Sequence, residues 1–365
     1  MAENSSKEGL SLSPGLEGRK RIKRPMKIAV VGATGLVGRE TLSILHERQF
    51  PMEKLRLLAS ASSAGQTVEV GEKEYIVEEL AESSFEGIDL VFLAAGGSIS
   101  KKVQPWAKQA GAVCIDKSSV FRLDADVPLV VPTVNGHHLA GYSKKNLVAT
   151  PNCSTIQLVQ ILGPLHQRAT LKRVIACTYQ AVSGAGREGI DELEQQVRGL
   201  FNFQEIEKTN VFGNRIAFNA LPSIPGTDAF RPDGTSHEEQ KMIDEPRKIL
   251  DLPDLPISVT CVRVPVFNGH SEAVHLEFED PVTVDEVRDI LEQTPDVMVV
   301  DDPSRGLYPT AQDAVGQDQT LVGRIRVDAS CPNGIALWIV SDNLRTGAAL
   351  NAVRIAETLC AEQLD

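Results

Sequence analysis

The sequence predicts a two-domain α/β protein: a parallel, doubly wound sheet first, an α+β domain second, and a final helix that returns to the first domain. Three observations carry this. A glycine-rich turn, Gly32-Ala33-Thr34-Gly35-Leu36-Val37-Gly38, follows a short apolar run and precedes an amphipathic one. Apolar runs of strand length then alternate with helix-like stretches as far as residue 152. Beyond that point the strand runs lengthen and few helical patterns separate them. At 365 residues the chain is also too long for one ordinary core.

Residues 1–25 stand apart. The first 13 are small and polar, and Arg19-Lys20-Arg21-Ile22-Lys23-Arg24 is a basic run closed by Pro25. Without an apolar core this is not a secretory signal, and it reads as a disordered basic tail. A contact with phosphate or another subunit is the alternative.

The ordered chain is expected from Met26. Lys27-Ile28-Ala29-Val30-Val31 is strand-like, the glycine turn follows, and residues 40–48 continue as a helix. Glycines let a backbone approach a pyrophosphate, and a helix N-terminus holds it electrostatically. In this strand, turn and helix setting the G-x-x-G-x-x-G spacing reads as a dinucleotide site, with Gly32, Thr34, Gly35, Leu36 and Val37 as its contacts. A purely structural turn is the alternative. The first domain is therefore read as a Rossmann dinucleotide-binding domain.

The second strand, 55–59, ends in Ser60-Ala61-Ser62-Ser63-Ala64-Gly65. A site for NAD places a carboxylate there for the ribose 2′-hydroxyl. None is present, and the hydroxyls of Ser60, Ser62 and Ser63 suit a 2′-phosphate instead, which points to NADP. Further strands are expected over 88–95 and 112–116, with a helix between them.

At 146–155 an apolar run meets Pro151-Asn152, and Ser154-Thr155 opens a periodic helical stretch. This puts Cys153 at the start of a helix, where the dipole favours thiolate over thiol, and thiolate is the nucleophile. A thiolate and a nicotinamide in one chain suggest covalent aldehyde oxidation. Later strands are expected over 173–182, 258–265, 272–279, 321–328 and 334–340, and one helix over 346–362. No internal repeat is visible.

Composition excludes several classes. The net charge of −12 argues against a general nucleic-acid surface. No apolar stretch is long enough for a membrane span. The six cysteines are scattered with no CxxC pair, which is neither a disulfide framework nor a zinc site; no metal is expected, and a reducing, cytoplasmic setting is.

Four motifs then resemble one family, aspartate-β-semialdehyde dehydrogenase. They are Thr150-Pro151-Asn152-Cys153-Ser154-Thr155, Gln180-Ala181-Val182-Ser183-Gly184-Ala185-Gly186, Arg263-Val264-Pro265-Val266 with Gly269-His270-Ser271-Glu272, and Asp342-Asn343-Leu344-Arg345. The resemblance covers the chain from Met26 to its end. It implies an NADP-binding domain formed by 26–152 and 344–365, and a catalytic and dimerisation domain formed by 153–343. It also implies reversible reductive dephosphorylation of aspartyl phosphate to aspartate semialdehyde, in a homodimer or homotetramer, as part of lysine, threonine, methionine and diaminopimelate synthesis.

By that resemblance Cys153 is the nucleophile, His270 the acid/base and Gln180 the residue that orients substrate. A histidine of ordinary pKa near neutrality suits a group that both takes and gives a proton. Arg263 matches the arginine for the α-carboxylate, a bidentate contact. Glu238 and Lys241, one helical turn apart, are candidates for the substrate ammonium and the phosphate; a solvated Glu/Lys pair is the alternative. Arg122 matches the phosphate arginine, and Asn152 supports the thioester or phosphate. Ser183, Gly184 and Asn343 are expected beside the nicotinamide. The chain departs at Ser62, where many relatives carry an arginine.

Two other readings stay open. N-acetyl-γ-glutamyl-phosphate reductase uses the same chemistry on a longer, acylated substrate; the Glu238/Lys241 pair and the setting of His270 favour a free amine. A catalytically silent NADP-sensing protein would have no need to keep Cys153, Gln180, Arg263 and His270 together.

Overall fold

The computed structural model describes residues 22–204, 210–224 and 229–364. Its first half alternates strand and helix. In chain order come β1 (Met26–Val31), α1 (Leu36–Glu47), β2 (Met52–Ala59), β3 (Thr67–Val70), β4 (Lys73–Glu79), β5 (Leu90–Leu93), α2 (Gly97–Gln109), β6 (Val113–Asp116), the short α3 (Pro132–Asn135) and β7 (Leu147–Ala149). These strands form one sheet in the order β3-β4-β2-β1-β5-β6-β7. All neighbours run parallel except the β3–β4 hairpin at the edge. The order turns back at β1, with β2 on one side and β5 on the other. In a doubly wound sheet such a switch opens a crevice at the carboxyl ends of the strands, and Gly32 and Ala94 stand at that end of β1 and β5.

The second half begins with α4 (Cys153–Arg168), β8 (Leu171–Gln180), α5 (Arg187–Phe201), α6 (His237–Ile249), β9 (Ile257–Arg263) and β10 (His270–Phe278). It continues through α7 (Val284–Glu292), β11 (Val297–Val299), α8 (Ala311–Ala314), β12 (Thr320–Asp328), β13 (Gly334–Ser341) and α9 (Asn351–Glu362). Its sheet is mixed, in the order β11-β12-β13-β10-β8-β9, with β10 antiparallel to both neighbours and β9 parallel to β8.

One helix joins the two halves. Ile156 and Val159 of α4 sit in the core of the parallel sheet, and Leu158, Ile161, Leu162 and Leu165 in the core of the mixed one. The helix is buried nearly all round because both sheets pack on it, and it buries Ser154, Thr155, Gln157 and Gln160 along with its apolar residues. The expected boundary at 152/153 thus falls at the start of a helix that both layers share.

The returning helix is present. Val353, Ile355, Ala356 and Leu359 of α9 pack in one core with Ile28 and Val30 of β1. It does not begin at 346 as a regular helix: residues Arg345–Leu350 form a widened π turn before α9. Within it Arg345 bonds Asp318, Glu40 and Glu47, tying the turn to α1.

Other expectations shift at the ends. The first helix begins at Leu36, not 40, because Gly35 already serves as its N-cap. The strand expected over 173–182 stops at Gln180, and a 3₁₀ turn, Val182–Ala185, follows. The β3–β4 hairpin was not expected. Of the expected tail, residues 1–21 lie outside the described residues; at its described end Arg24 is not free, because its guanidinium grips Asp89 through two bonds of 3.0 and 3.1 Å. No helix among the described residues is long and apolar enough to cross a membrane.

Candidate active site

A cavity of about 320 Å³ opens between the two halves. Its wall takes Leu36 and Val37 from the glycine turn, Cys153 and Asn152 from the start of α4, Gln180 and Arg263 from strand ends, and His270 from the first position of β10. The shared helix α4 is what brings the nucleophile candidate to the crevice of the parallel sheet.

Cys153 is the first residue of α4, after the N-cap Asn152. Asn152 does not cap the helix with its side chain. Its Nδ2 donates instead to Glu238 Oε1 at 2.8 Å, and its backbone N–H donates to Glu245 Oε2 at 2.7 Å. The Cys153 thiol points its hydrogen toward Asn152 Oδ1, at 3.6 Å. Behind it lies Gly347 of the π turn, where a Cβ would stand 2.8 Å from Cys153 Cβ.

The expectation that Cys153 rests as thiolate is corrected. Burial pushes the thiol up to about 11, and the nearby Glu238 carboxylate adds to this. Arg263, the Ser154 backbone N–H and Arg122 pull the other way without overcoming it. Desolvation of a charge outweighs the helix dipole here.

His270 also departs from expectation. Burial and the Arg263 charge pull its pKa down to about 3, far from neutrality. The geometry agrees. Ala181 N–H donates to His270 Nδ1 at 3.0 Å, so the neutral ring carries its proton on Nε2. Nε2 is buried, has no partner in the protein and lines the cavity. A ring in this tautomer can gain a second proton only at Nδ1, and the Ala181 amide occupies that lone pair.

Glu238 is not on a solvated face. It is 5% exposed, bonds Lys241 at 2.9 Å, and accepts from Asn152 and from Gln180 Nε2 at 3.0 Å. Despite burial, these partners hold its carboxyl down to about 2. Glu238 and Lys241 face the cavity as an ion pair. Gln180 gives its second amide proton to Ser154 Oγ at 3.0 Å and accepts from Thr178. Both of its donors are therefore engaged in the wall.

The cations of the wall differ in their partners. Arg122 spends Nη1 on Glu245 at 2.8 Å and Nη2 on the Lys117 carbonyl at 2.7 Å. Arg263 bonds the Ala181 carbonyl at 2.6 Å, lies over the Phe212 ring, and has no carboxylate partner among the described residues. Burial lowers its pKa. Lys117 lines the cavity as well. Four cations against Glu238 give the cavity a positive surplus inside an acidic protein, which suits a substrate with two anionic groups.

The residues expected to hold the dinucleotide fit one. Gly32 has φ +82°, and a Cβ there would lie 2.8 Å from the Ala94 carbonyl oxygen. The start of α1 has no side-chain cap and no acidic residue in its first turn, so the N–H groups of Leu36 and Val37 can take a phosphate, while Gly35 N–H is spent on the Gly32 carbonyl. Thr34 lies in the same turn. Ser60, Ser62 and Ser63 close the end of β2, with the Ser60 and Ser62 hydroxyls 2.9 Å apart and exposed. At the other end Asn343 Nδ2 donates to Ser183 Oγ at 2.9 Å, its Oδ1 accepts from Gly269 N–H, and Gly184 stands beside Arg263 and His270. Ser183, Gly184 and Asn343 share the cavity with Cys153.

One further cluster, His137, His138 and Asp251, is spaced for a metal ion. Asn135 is oriented by Val131 N–H and the Leu129 carbonyl, so its Nδ2 faces His138 Nδ1 at 3.1 Å. His138 therefore carries its proton on Nε2 and donates it to Asp251 at 3.1 Å, leaving no lone pair there for an ion.

Three residues of the site, two in the wall and one behind it, were missed from sequence. Glu245 orients Arg122 and Asn152, Gly347 backs Cys153, and Lys117 adds a cation. Glu245 falls on the same face of α6 as Glu238 and Met242, a spacing signal that was available. Gly347 and Lys117 had none.

Comparison with known proteins agrees with this architecture. Residues 27–142 match the family model "Semialdehyde dehydrogenase, NAD binding domain", and residues 162–346 match "Semialdehyde dehydrogenase, dimerisation domain". The aspartate-semialdehyde dehydrogenase of Aquifex aeolicus is 47% identical over 93% of this chain and 99% of its own. The structure of Vibrio cholerae aspartate semialdehyde dehydrogenase II complexed with ASA superposes with a TM-score of 0.90 at 44% identity, covering 93% of this chain and 99% of that one. A Candida albicans aspartate semialdehyde dehydrogenase with NADP gives 0.71 at 25% identity, covering 93% of this chain and 100% of that one. The chain belongs to the aspartate-semialdehyde dehydrogenase family.

Proposed function

We propose that the chain carries out NADP-dependent, reversible reductive dephosphorylation of L-4-aspartyl phosphate to L-aspartate 4-semialdehyde through a thioester on Cys153. The observation that carries this is the meeting of Cys153, His270, Arg263 and the glycine-turn residues Leu36 and Val37 on one cavity. The Vibrio cholerae neighbour with ASA and the Candida albicans neighbour with NADP support the substrate and the cofactor.

Cys153 Sγ gives up its thiol proton and attacks the acyl carbon; the C–S bond forms, and phosphate leaves with the electron pair of the C–O bond and takes up a proton. A bound NADPH supplies the hydride that the acyl carbon needs. The resulting thiohemiacetal collapses when the C–S bond breaks and returns the pair to sulfur, releasing the aldehyde. His270 meets the carbonyl oxygen through Nε2–H, first as a hydrogen-bond donor to the developing oxyanion. Proton gain by the ring requires it to leave the Ala181 amide.

Arg263 takes the α-carboxylate through its free guanidinium edge. The Glu238–Lys241 pair presents an acceptor to the ammonium and a cation to the phosphate. Arg122 and Asn152 flank the phosphate, and Gln180 acts by holding Glu238 and Ser154 in place. Gly32, Thr34, Gly35, Leu36 and Val37 hold the pyrophosphate, Ser60, Ser62 and Ser63 the 2′-phosphate, and Ser183, Gly184 and Asn343 the nicotinamide end. Residues 26–152 with 344–365 form the nucleotide domain and 153–343 the catalytic one. A second copy docks on the catalytic domain, where Phe201, Phe218 and Phe267 are exposed. Free, scattered cysteines fit a reducing cytoplasm.

The test is phosphate-dependent reduction of NADP by L-aspartate semialdehyde, followed by nicotinamide absorbance. Activity that needs phosphate and disappears in Cys153→Ser, with NADP binding kept, is the expected result. A Cys153→Ser protein that turns over normally overturns the covalent route. Turnover of N-acetylglutamate semialdehyde instead would move the substrate.

A further inference from the structure

The end of β2 is assigned a phosphate but carries no charge to hold it. A phosphate monoester bears nearly two negative charges at neutral pH. Residues 60–65 offer three hydroxyls and neither Arg nor Lys. The last cation of β2 itself, Arg56, is spent on Glu78 and on the Ser84 carbonyl.

Arg39 of α1 is placed to supply the charge. Its Nε donates to the Thr34 carbonyl at 3.1 Å, so the side chain runs back along the first turn of the helix to the glycine turn. The two residues before Thr34 tie that turn to β2: Gly32 and Ala33 both donate to the Leu58 carbonyl, at 2.8 and 3.3 Å. The guanidinium is therefore anchored on a turn that is itself bonded to the end of β2.

The face of the helix agrees. His46 lies seven residues beyond Arg39, two turns on and on the same face. Its ring packs directly under Gly71, at the tip of the β3–β4 hairpin. This face of α1 thus looks toward the hairpin, which stands beside β2. Both α1 and β3 run away from the carboxyl end of the sheet. Seven residues of helix span about 10 Å, the length of about three residues of strand. Counted back from Gly71 along β3, that reaches Val68, two residues from Gln66 where the loop after β2 ends. Arg39 is level with the last residues of that loop, and its side chain points farther the same way.

No protein group competes for the guanidinium fork. Among the described residues the Nη atoms of Arg39 have no hydrogen bond and no ion pair. The neighbouring carboxylates of α1, Glu40 and Glu47, are bound to Arg345 on another face of the helix. Arg39 itself is exposed, so the fork is open to a ligand.

We infer that Arg39 supplies the guanidinium of the ribose 2′-phosphate site, holding that phosphate between its Nη groups and the hydroxyls of Ser60, Ser62 and Ser63. The inference rests on the NADP reading above. Two N–H donors in one plane match two phosphate oxygens, and the 2′-hydroxyl of NAD offers them no charge. Arg39 is thus the residue that sets cofactor choice.

The test is calorimetric titration of the protein with NADP and NAD, and with 2′,5′-ADP and 5′-AMP as fragments with and without the 2′-phosphate. Arg39→Gln is expected to weaken NADP and 2′,5′-ADP by about 10- to 100-fold, the worth of a charge-assisted pair, and to leave NAD and 5′-AMP within about twofold. Arg39→Lys is expected to recover part of the loss. Gln is nearly as good a helix former as Arg and the position is exposed, so the variant keeps the fold. Equal weakening of NADP and NAD would mean that Arg39 only props the glycine turn through Thr34, and overturns the inference. So does unchanged NADP binding in Arg39→Gln. Failure of the NADP reading looks different: the unsubstituted protein would bind 2′,5′-ADP no more tightly than 5′-AMP, and both conclusions would fall together. If the unsubstituted protein prefers 2′,5′-ADP and Arg39→Gln keeps that preference, only the role of Arg39 fails.

Discussion

Gly347→Ala tests how tightly the π turn places the nucleophile. The new Cβ would sit 2.8 Å from Cys153 Cβ and 3.2 Å from Cys153 Cα. Carbon atoms in contact prefer about 3.5–4.0 Å, so the pair must separate by roughly 1 Å. Neither side gives easily. Gly347 N–H is bonded to the Asp342 carbonyl at 2.9 Å, and Cys153 begins a helix whose N-cap is held by Glu238 and Glu245. Overpacking of this kind costs about 1–3 kcal/mol. A displacement of about 1 Å at a reacting atom costs on the order of 100-fold in turnover. We therefore expect Gly347→Ala to lose about two orders of magnitude in kcat and to melt several degrees lower, with a smaller loss of NADP affinity, because the π turn also packs on α1 beside the glycine turn. Steady-state kinetics, a thermal melt and nucleotide titration check this. A variant with unchanged kcat and unchanged Tm would show that the close approach of Gly347 does not set the position of the sulfur.

Other outcomes follow from charges in the wall. Glu238 has a folded pKa of about 2 against an ordinary 4.5, so it stabilises the fold above about pH 4.5 by about 3 kcal/mol, lost as pH falls toward 2. Glu238→Gln should flatten the acid limb of the stability curve there; an unaltered limb would refute the pairing. His270, with its folded pKa pulled down to about 3, binds its proton in the unfolded chain first, so stability should already decline below about pH 6.5, and His270→Asn should remove that part. Glu245→Gln leaves Arg122 buried without its partner and is expected to destabilise by about 3 kcal/mol or more, read by denaturant unfolding. Ser62→Arg, placing a guanidinium at the exposed end of β2, should tighten NADP by about tenfold with little change for NAD; equal gains for both would argue against the 2′-phosphate site there.

The sequence by itself determined a good deal. Local patterns recorded the parallel alternation, the glycine turn, the mixed second sheet and the helix that opens at Cys153, because each rests on periodicity or on a backbone need that only certain residues meet. The family motifs named the residues that the fold then gathers around one cavity. The missed β3–β4 hairpin is short, charged and half-exposed, so its alternation was weak. What only the tertiary structure decided was protonation and pairing. A cysteine at a helix start should favour thiolate, yet burial beside Glu238 reverses that. A histidine should titrate near neutrality, yet burial and the Arg263 charge hold it neutral, with its Nδ1 taken by the Ala181 amide. A Glu/Lys pair should be solvated, yet α6 buries Glu238 against Asn152 and Gln180. Charge state depends on desolvation and on neighbours brought from β9, β10, α6 and the turn after β6. Those neighbours lie up to 153 positions apart in the chain, from Lys117 to His270, and no local pattern records that distance.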